Sequence, residues 1–310
     1  MAPTTDHPTD RRHRHRRLTV LRALVEMSRP DQLLLMVVVY GMGVAAAVAD
    51  GRLLPTGRVA LAFLAYLPLA AGVHYANEFA DYGTDLLTER TRFSGGSGAL
   101  ARTGLSRRLA LRATAASLLL GTVATLTLAT VGVLGGPVLA LLLGVVVFGV
   151  GYSLPPLALA WRGLGEVDNA TLGGLVLPTY GFVAVAGSLS LDAVVAFVPF
   201  ALFVFANLLA TGWPDREADA AVGKRTLPTR LPTSTLRWLH AGALLAGFVA
   251  LGVLHGGHVP TVVCWATMLA APPFLWGVLV FTRQRSPLPT VAGMVVVALA
   301  QFGGWVAVVL

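Results

Sequence analysis

Apolar positions in this chain come in long unbroken runs, not in the alternating or one-sided patterns of water-soluble elements. A surface helix of a soluble domain keeps one polar face. Here whole stretches are apolar all round, and about 20 such residues are what an α-helix needs to cross a bilayer. Nine runs fall at roughly 32–49, 59–79, 109–131, 137–154, 169–188, 192–213, 235–254, 261–281 and 290–310. Turn residues separate several of them: Leu54-Pro55-Thr56-Gly57, Gly135-Gly136-Pro137, Gly256-Gly257 and Ser286-Pro287. The pattern predicts an all-α, polytopic membrane protein with one nine-span domain over residues 29–310. Residues 1–28 are polar and read as a basic, disordered tail. They contain no short apolar segment with a small-residue cleavage site, as a secretory signal would.

Composition agrees. Apolar types make up 55% of the chain and charged types 12%, about half the charged share of a soluble domain. So few charges would not cover a water-facing surface, whereas a lipid-facing surface must be apolar. The net charge of +8 does not indicate nucleic acid, because the basic residues sit in loops between spans without aromatic interleaving. Cys264 is the single cysteine, which excludes an intrachain disulfide and a cysteine-built metal site.

Charge also sets the orientation. With the N-terminus in the cytoplasm, all of the 23 Lys and Arg residues except Arg52 and Arg58 fall on cytoplasmic loops or the helix ends beside them, as the positive-inside rule requires. The run Arg11 to Arg17 reads either as a solvated tail or as an anchor to anionic headgroups. Both place it inside. The expected location is the cell (inner) membrane, with the active site facing the cytoplasm.

Acidic residues number only 15, so their placement is informative. Glu78, Asp81, Asp85 and Glu89 lie where the second span leaves the membrane. Asp215, Glu217 and Asp219 lie where the sixth does. Both windows open on the cytoplasmic face. Asn77, Asp81 and Asp85 are spaced i, i+4, i+8, which puts them on one helical face, and Asp215 and Asp219 are spaced i, i+4. Like charges so placed repel by a few tenths of a kcal/mol, and a bound divalent cation reverses that sign. Mg²⁺ takes oxygen ligands, typically one or two carboxylates together with substrate phosphates. Solvated helix ends are the alternative reading of either cluster alone.

Basic residues near the clusters suit the same ligand. Lys224 and Arg225 follow the second cluster, and Arg162 lies in the loop after the fourth span. All three are candidates to bind diphosphate oxygens by charge-assisted hydrogen bonds. Arg90 and Arg92 follow the first cluster and fit simple positive-inside bias. Ser94-Gly95-Gly96-Ser97-Gly98 reads as a flexible loop or as a donor of backbone N–H groups to phosphate. His74, His240, His255 and His258 lack metal-ligand spacing and read as structural or interfacial.

Taken together, these segments resemble a known family. Asn77-Glu78-Phe79-Ala80-Asp81-Tyr82-Gly83-Thr84-Asp85 is similar to the first aspartate-rich motif of the UbiA superfamily of intramembrane prenyltransferases. Asp215-Arg216-Glu217-Ala218-Asp219 with Gly223-Lys224-Arg225-Thr226-Leu227 is similar to the second. Arg29-Pro30, Tyr152-Ser153-Leu154-Pro155-Pro156 and Arg162-Gly163-Leu164-Gly165-Glu166 resemble further family segments. Within the superfamily the chain looks most like 1,4-dihydroxy-2-naphthoate prenyltransferases of menaquinone synthesis. It departs from them at Glu78, where Asp is usual, at Asp31 and Gln32, and in Thr211, Gly212 and Pro214 before Asp215.

The resemblance implies nine helices around a central cavity, Mg²⁺ and an allylic prenyl diphosphate. Asp81, Asp85, Asp215 and Asp219 then hold the metal, and Asn77 supplies a neutral oxygen ligand or orients one. Asn77, Arg162, Lys224 and Arg225 bind the diphosphate. Tyr152 and Ser153 line the pocket where an allylic cation forms. Phe203, Phe205 and Trp213 read as span packing or as contacts for that cation. The expected reaction is prenyl transfer to an aromatic acceptor. A terpene cyclase on the same scaffold is the alternative. A transporter fits less well, because transporter sites lie near the membrane midplane.

Overall fold

The computed structural model describes residues 8–89 and 96–310. Among them, nine helices are long and apolar enough to cross a membrane: Pro30–Ala49, Thr56–Ala80, Arg108–Thr130, Gly136–Ser153, Gly165–Ala186, Leu191–Gly212, Thr233–Leu254, Thr261–Val280 and Leu288–Val309. These are the first to ninth spans below, and each overlaps a run read from sequence. The fifth span carries a π-helical segment, Leu172–Val176, and the eighth a 3₁₀ segment, Met268–Ala270.

The first span packs on the fifth and ninth, the second on the third and fourth, and the sixth on the fifth, seventh and ninth. In lipid no hydrophobic force draws helices together, so close backbone approach through small residues matters more. The first and fifth spans show this directly. A Cβ on Gly43 would lie 1.7 Å from the Pro178 carbonyl oxygen, and one on Gly181 would lie 2.1 Å from that of Tyr40. Beside this crossing the hydroxyls of Tyr40 and Tyr180 donate to the carbonyls of Val59 (2.8 Å) and Ala62 (2.6 Å), so neither buried phenol is left unpaired. Outward-facing Leu119, Val253 and Trp265 are exposed, as lipid contact requires.

Arg58, one of the two basic residues that the sequence reading leaves outside the cytoplasmic set, has a structural reason for its position. Its side chain donates to the carbonyls of Ala184 and Val185, near the C-terminal end of the fifth span, where carbonyls lack intrahelical partners. Phe203 stacks on Phe274 at 5.3 Å and meets Phe248 edge-on at 5.0 Å, which is core packing.

One expectation is corrected. The segment read as a disordered tail forms a helix, Pro8–Met27. Ala23 and Met27 are buried against Ala99, Leu100 and Ala110, and the Tyr75 hydroxyl donates to the Leu24 carbonyl at 3.1 Å. The basic run masks a short apolar face at the helix's C-terminal end, which anchors it beside the second span.

Candidate active site

The second span ends at Ala80, and a short turn of helix, Tyr82–Asp85, continues the chain. The sixth span ends at Gly212 and is followed by the helix Arg216–Ala221. The two turns face each other. Between them lies the Lys224 ammonium, 2.9 Å from Asp81 Oδ1 and 3.6 Å from Asp219 Oδ1. Lys224 and Asp219 are both buried. Burial disfavours the Lys224 ammonium, but Asp81 and Asp219 outweigh it and raise its pKa.

The carboxylates outnumber the cations beside them. Burial first, and then the charges of Asp81 and Glu78, push Asp85 up to about 7. Burial pushes Asp219 up to about 6, with Asp81 and Asp215 adding to the shift and Lys224 opposing it. An oxygen-only donor set short of positive charge suits a hard cation. Among the described residues no three His, Cys, Asp or Glu side chains form a ready-made metal site. Mg²⁺ bound by one or two carboxylates plus substrate phosphates does not need one.

A second cation ties the same two loops at their rim. Arg285, in the loop before the ninth span, pairs with Glu89 at 2.7 Å and with Glu217 at 3.4 Å. Both pairs are exposed, so each contributes roughly 0.2–1 kcal/mol.

The remaining candidates divide. Ser153 is buried, and its Oγ accepts from Asn77 Nδ2 at 3.4 Å. Tyr152 lies within electrostatic reach of Lys224, Asp81 and Asp219. Asp215 lies near enough to Asp219 to shift its titration. Arg162 and Arg225 are exposed. The Arg162 guanidinium donates to the Pro156 carbonyl of its own loop at 2.9 Å. Arg90, Arg92, Ser94 and Gly95 lie outside the described residues.

Several contacts were not foreseen from sequence. Glu78 was grouped with the acids of the first cluster, yet it is almost fully buried and engages Arg29 and Ser97. Gly96 has φ +59°, and a Cβ there would lie 2.1 Å from Asp85 Oδ2. Only glycine allows the loop to pass this close to the carboxylate. Glu166 Oε1 accepts from the Leu227 N–H at 2.9 Å, which fastens the end of the second motif to the fifth span. The spacing of the Arg162–Glu166 segment carried no hint of that contact, 61 residues away in sequence.

The sequence profile of the UbiA prenyltransferase family matches residues 34–290. The chain belongs to this family. Known UbiA folds agree with the architecture. A UbiA homolog from Archaeoglobus fulgidus bound to GPP and Mg²⁺ superposes with a TM-score of 0.66, at 17% identity, over 93% of this chain and 99% of that one. The apo UbiA homolog from Aeropyrum pernix K1 gives 0.65 at 17% identity, over 87% and 97%. In sequence, the chloroplastic chlorophyll synthase of Arabidopsis thaliana is 32% identical over 95 residues, 30% of this chain. That match spans 24% of the plant protein's length.

Proposed function

We propose that this UbiA-family protein transfers the prenyl group of an allylic prenyl diphosphate to an aromatic acceptor within the membrane, with Mg²⁺. The observation that carries the reading is the Lys224 ammonium held between Asp81 and Asp219, because it sets the two motifs on opposite sides of one cation. The Archaeoglobus fulgidus homolog of the same fold binds GPP and Mg²⁺, which supports the same ligands here.

Asp81, Asp85, Asp215 and Asp219 would hold the metal, which when bound would neutralise charge on the diphosphate. Lys224 donates charge-assisted hydrogen bonds to the leaving group as its negative charge grows. Arg225, exposed beside Lys224, reaches diphosphate oxygens from the rim, and Arg162 does so only by leaving the Pro156 carbonyl. Tyr152 and Ser153 wall the pocket under the reacting carbon and keep water from it. Breaking the C–O bond leaves an allylic cation. An electron-rich ring carbon of the acceptor attacks that cation, and the ring then loses a proton.

The finer assignment is a naphthoate-like acceptor, as in menaquinone synthesis. It rests on the glycine-rich stretch, the Arg162–Glu166 segment and the Gly-Lys-Arg-Thr-Leu run. We place the site on the cytoplasmic side of the cell membrane, because nearly all Lys and Arg residues lie on that face. Residues 29–310 act as one catalytic domain.

The test is product analysis in vesicles with Mg²⁺ and a panel of prenyl diphosphates, with and without aromatic acceptors. A prenylated acceptor, formed only when both substrates are present, is expected. Cyclic hydrocarbon released without acceptor would replace the transferase by a cyclase. Flux across the vesicle without chemical change would replace both by a transporter.

A further inference from the structure

A cavity of about 320 Å³ lies between the fourth and fifth spans, a size within the range of small-molecule sites. Ala140, Gly144 and Phe148 wall it from the fourth span, and Asp168, Leu172 and Val176 from the fifth. No residue of the two aspartate-rich motifs lines it. Ala140 and Phe148 are exposed in mid-span, so the cavity is a groove open to the bilayer. Two local features keep it open. Gly144 has no side chain, and a Cβ there would meet nothing within 4 Å. Leu172 and Val176 bound the π-helical segment, a widened turn of the kind frequent at functional sites.

Asp168 is out of keeping with these apolar walls. It lies three residues inside the fifth span, Gly165–Ala186. Its Oδ2 is buried and, among the described residues, has no hydrogen-bond partner. Thr171 is the other polar side chain lining the groove, and its hydroxyl is already engaged by the Val167 carbonyl at 2.8 Å. A helix dipole favours an acid in the first turn, but only modestly. It supplies no donor to Oδ2, and leaving a buried charged acceptor unpaired costs more than the dipole contributes. Ionisable side chains within a span pair with a partner and mark binding sites.

From Asp168 to Val176 the helix rises about 12 Å. The carboxylate therefore sits near one membrane surface, and the apolar walls run inward from it. An amphiphile with a cationic donor at its head and an apolar chain below it matches that order. A primary ammonium donates charge-assisted hydrogen bonds to a carboxylate. A quaternary ammonium has no proton to donate, and an anionic head would be repelled.

We propose that the groove between the fourth and fifth spans is a lipid site: Asp168 binds the primary ammonium of a phosphatidylethanolamine, and an acyl chain lies along Gly144 and Val176.

The experiment is native mass spectrometry of the purified full-length protein in detergent. It is titrated with phosphatidylethanolamine, phosphatidylcholine or phosphatidylglycerol of identical acyl chains. Wild type should bind the ethanolamine lipid roughly tenfold more tightly than the other two, as one charge-assisted hydrogen bond supplies. Asp168→Asn keeps the shape and removes the charge, so most of that preference should disappear. Gly144→Leu leaves Asp168 in place and fills the groove, so the Kd for the ethanolamine lipid should rise roughly tenfold or more. Thermal unfolding reports which variants fold, and if one does not, the other decides. Equal affinity of wild type for the three lipids overturns the proposal. So does an unchanged preference in folded Asp168→Asn, or wild-type affinity in folded Gly144→Leu. Tighter binding of phosphatidylglycerol would assign the lipid to basic residues elsewhere, and a dimer that excludes lipid would assign the groove to a second copy. Either result also overturns it.

Discussion

The Lys224 ammonium donates to Asp81 Oδ1 at 2.9 Å, across 143 residues of sequence, and both groups are largely withdrawn from solvent. A buried charge pair contributes little against an apolar replacement, but removing one partner costs about 3–5 kcal/mol, because a charge is left uncompensated. Lys224→Met should therefore lower the thermal midpoint of the chelated protein. Excess Mg²⁺ should restore more stability to Lys224→Met than it adds to wild type, because the divalent ion takes over neutralisation of Asp81 and Asp219. Thermal unfolding in detergent with and without Mg²⁺ measures this. An equal Mg²⁺ shift in both proteins would count against a shared cation site.

Gly96→Ala should damage the site while sparing the fold. Its Cβ would meet Asp85 Oδ2 at 2.1 Å, on a backbone at φ +59°. Gly104 has a similar φ of +65° but open space around it, so Gly104→Ala isolates the backbone strain, about 1–2 kcal/mol. Turnover is expected to fall at least about tenfold further in Gly96→Ala than in Gly104→Ala, corresponding to about 1.4 kcal/mol. Equal rates would show that the loop's approach to Asp85 is immaterial.

Much of this architecture is legible in sequence, for physical reasons. A bilayer imposes span length and an apolar surface, so the nine runs are visible without any contact information. The i, i+4 spacing of Asp81 with Asp85 and of Asp215 with Asp219 shows which faces the carboxylates share. The contacts of Glu78 with Arg29 and Ser97 are not legible, because they join residues 19 to 49 positions apart and depend on a left-handed turn at Arg29, before Pro30. Arg162 stood out by charge and location, but its hydrogen bond to the Pro156 carbonyl carries no sequence signal. The N-terminal helix was hidden by its charge. Among its described side chains, Ala23, Leu24 and Met27 supply the packing face.

The raised Asp85 titration has a sign that can be checked on the chelated protein. Folding raises this pKa from 3.8 to about 7, so the folded state holds the proton more tightly than the unfolded state. The contribution favours folding at low pH and is lost as pH rises from about 4 through 7. Asp85→Asn should therefore gain stability over wild type at pH 8, with the gain vanishing near pH 4. A gain that is the same at both pH values would exclude the protonation account.

The crossing of the first and fifth spans leaves no room for a side chain at Gly43, where a Cβ would sit 1.7 Å from the Pro178 oxygen. Gly43→Ala should destabilise by about 1–3 kcal/mol or more, as overpacking does. Gly242, with nothing within 4 Å of its Cβ position, should accept Ala without loss. Unfolding midpoints of the two variants compare them directly, and equal midpoints would contradict the packing described.

Glu166→Ala should loosen the end of the second motif by removing the acceptor for the Leu227 N–H, at a cost of about 1–3 kcal/mol. Glu166→Gln keeps an oxygen acceptor and should retain most activity. Limited proteolysis across residues 215–231 reports the loosening, and identical cleavage of both variants would rule out the fastening role.

The most direct measurement is release of diphosphate from an allylic prenyl diphosphate by wild type, Asp81→Ala and Asp215→Ala proteins, each checked for folding. If the two motifs act on one diphosphate, either substitution alone abolishes release, although the residues lie in different loops. Wild-type release by a folded Asp81→Ala or Asp215→Ala protein would contradict the account.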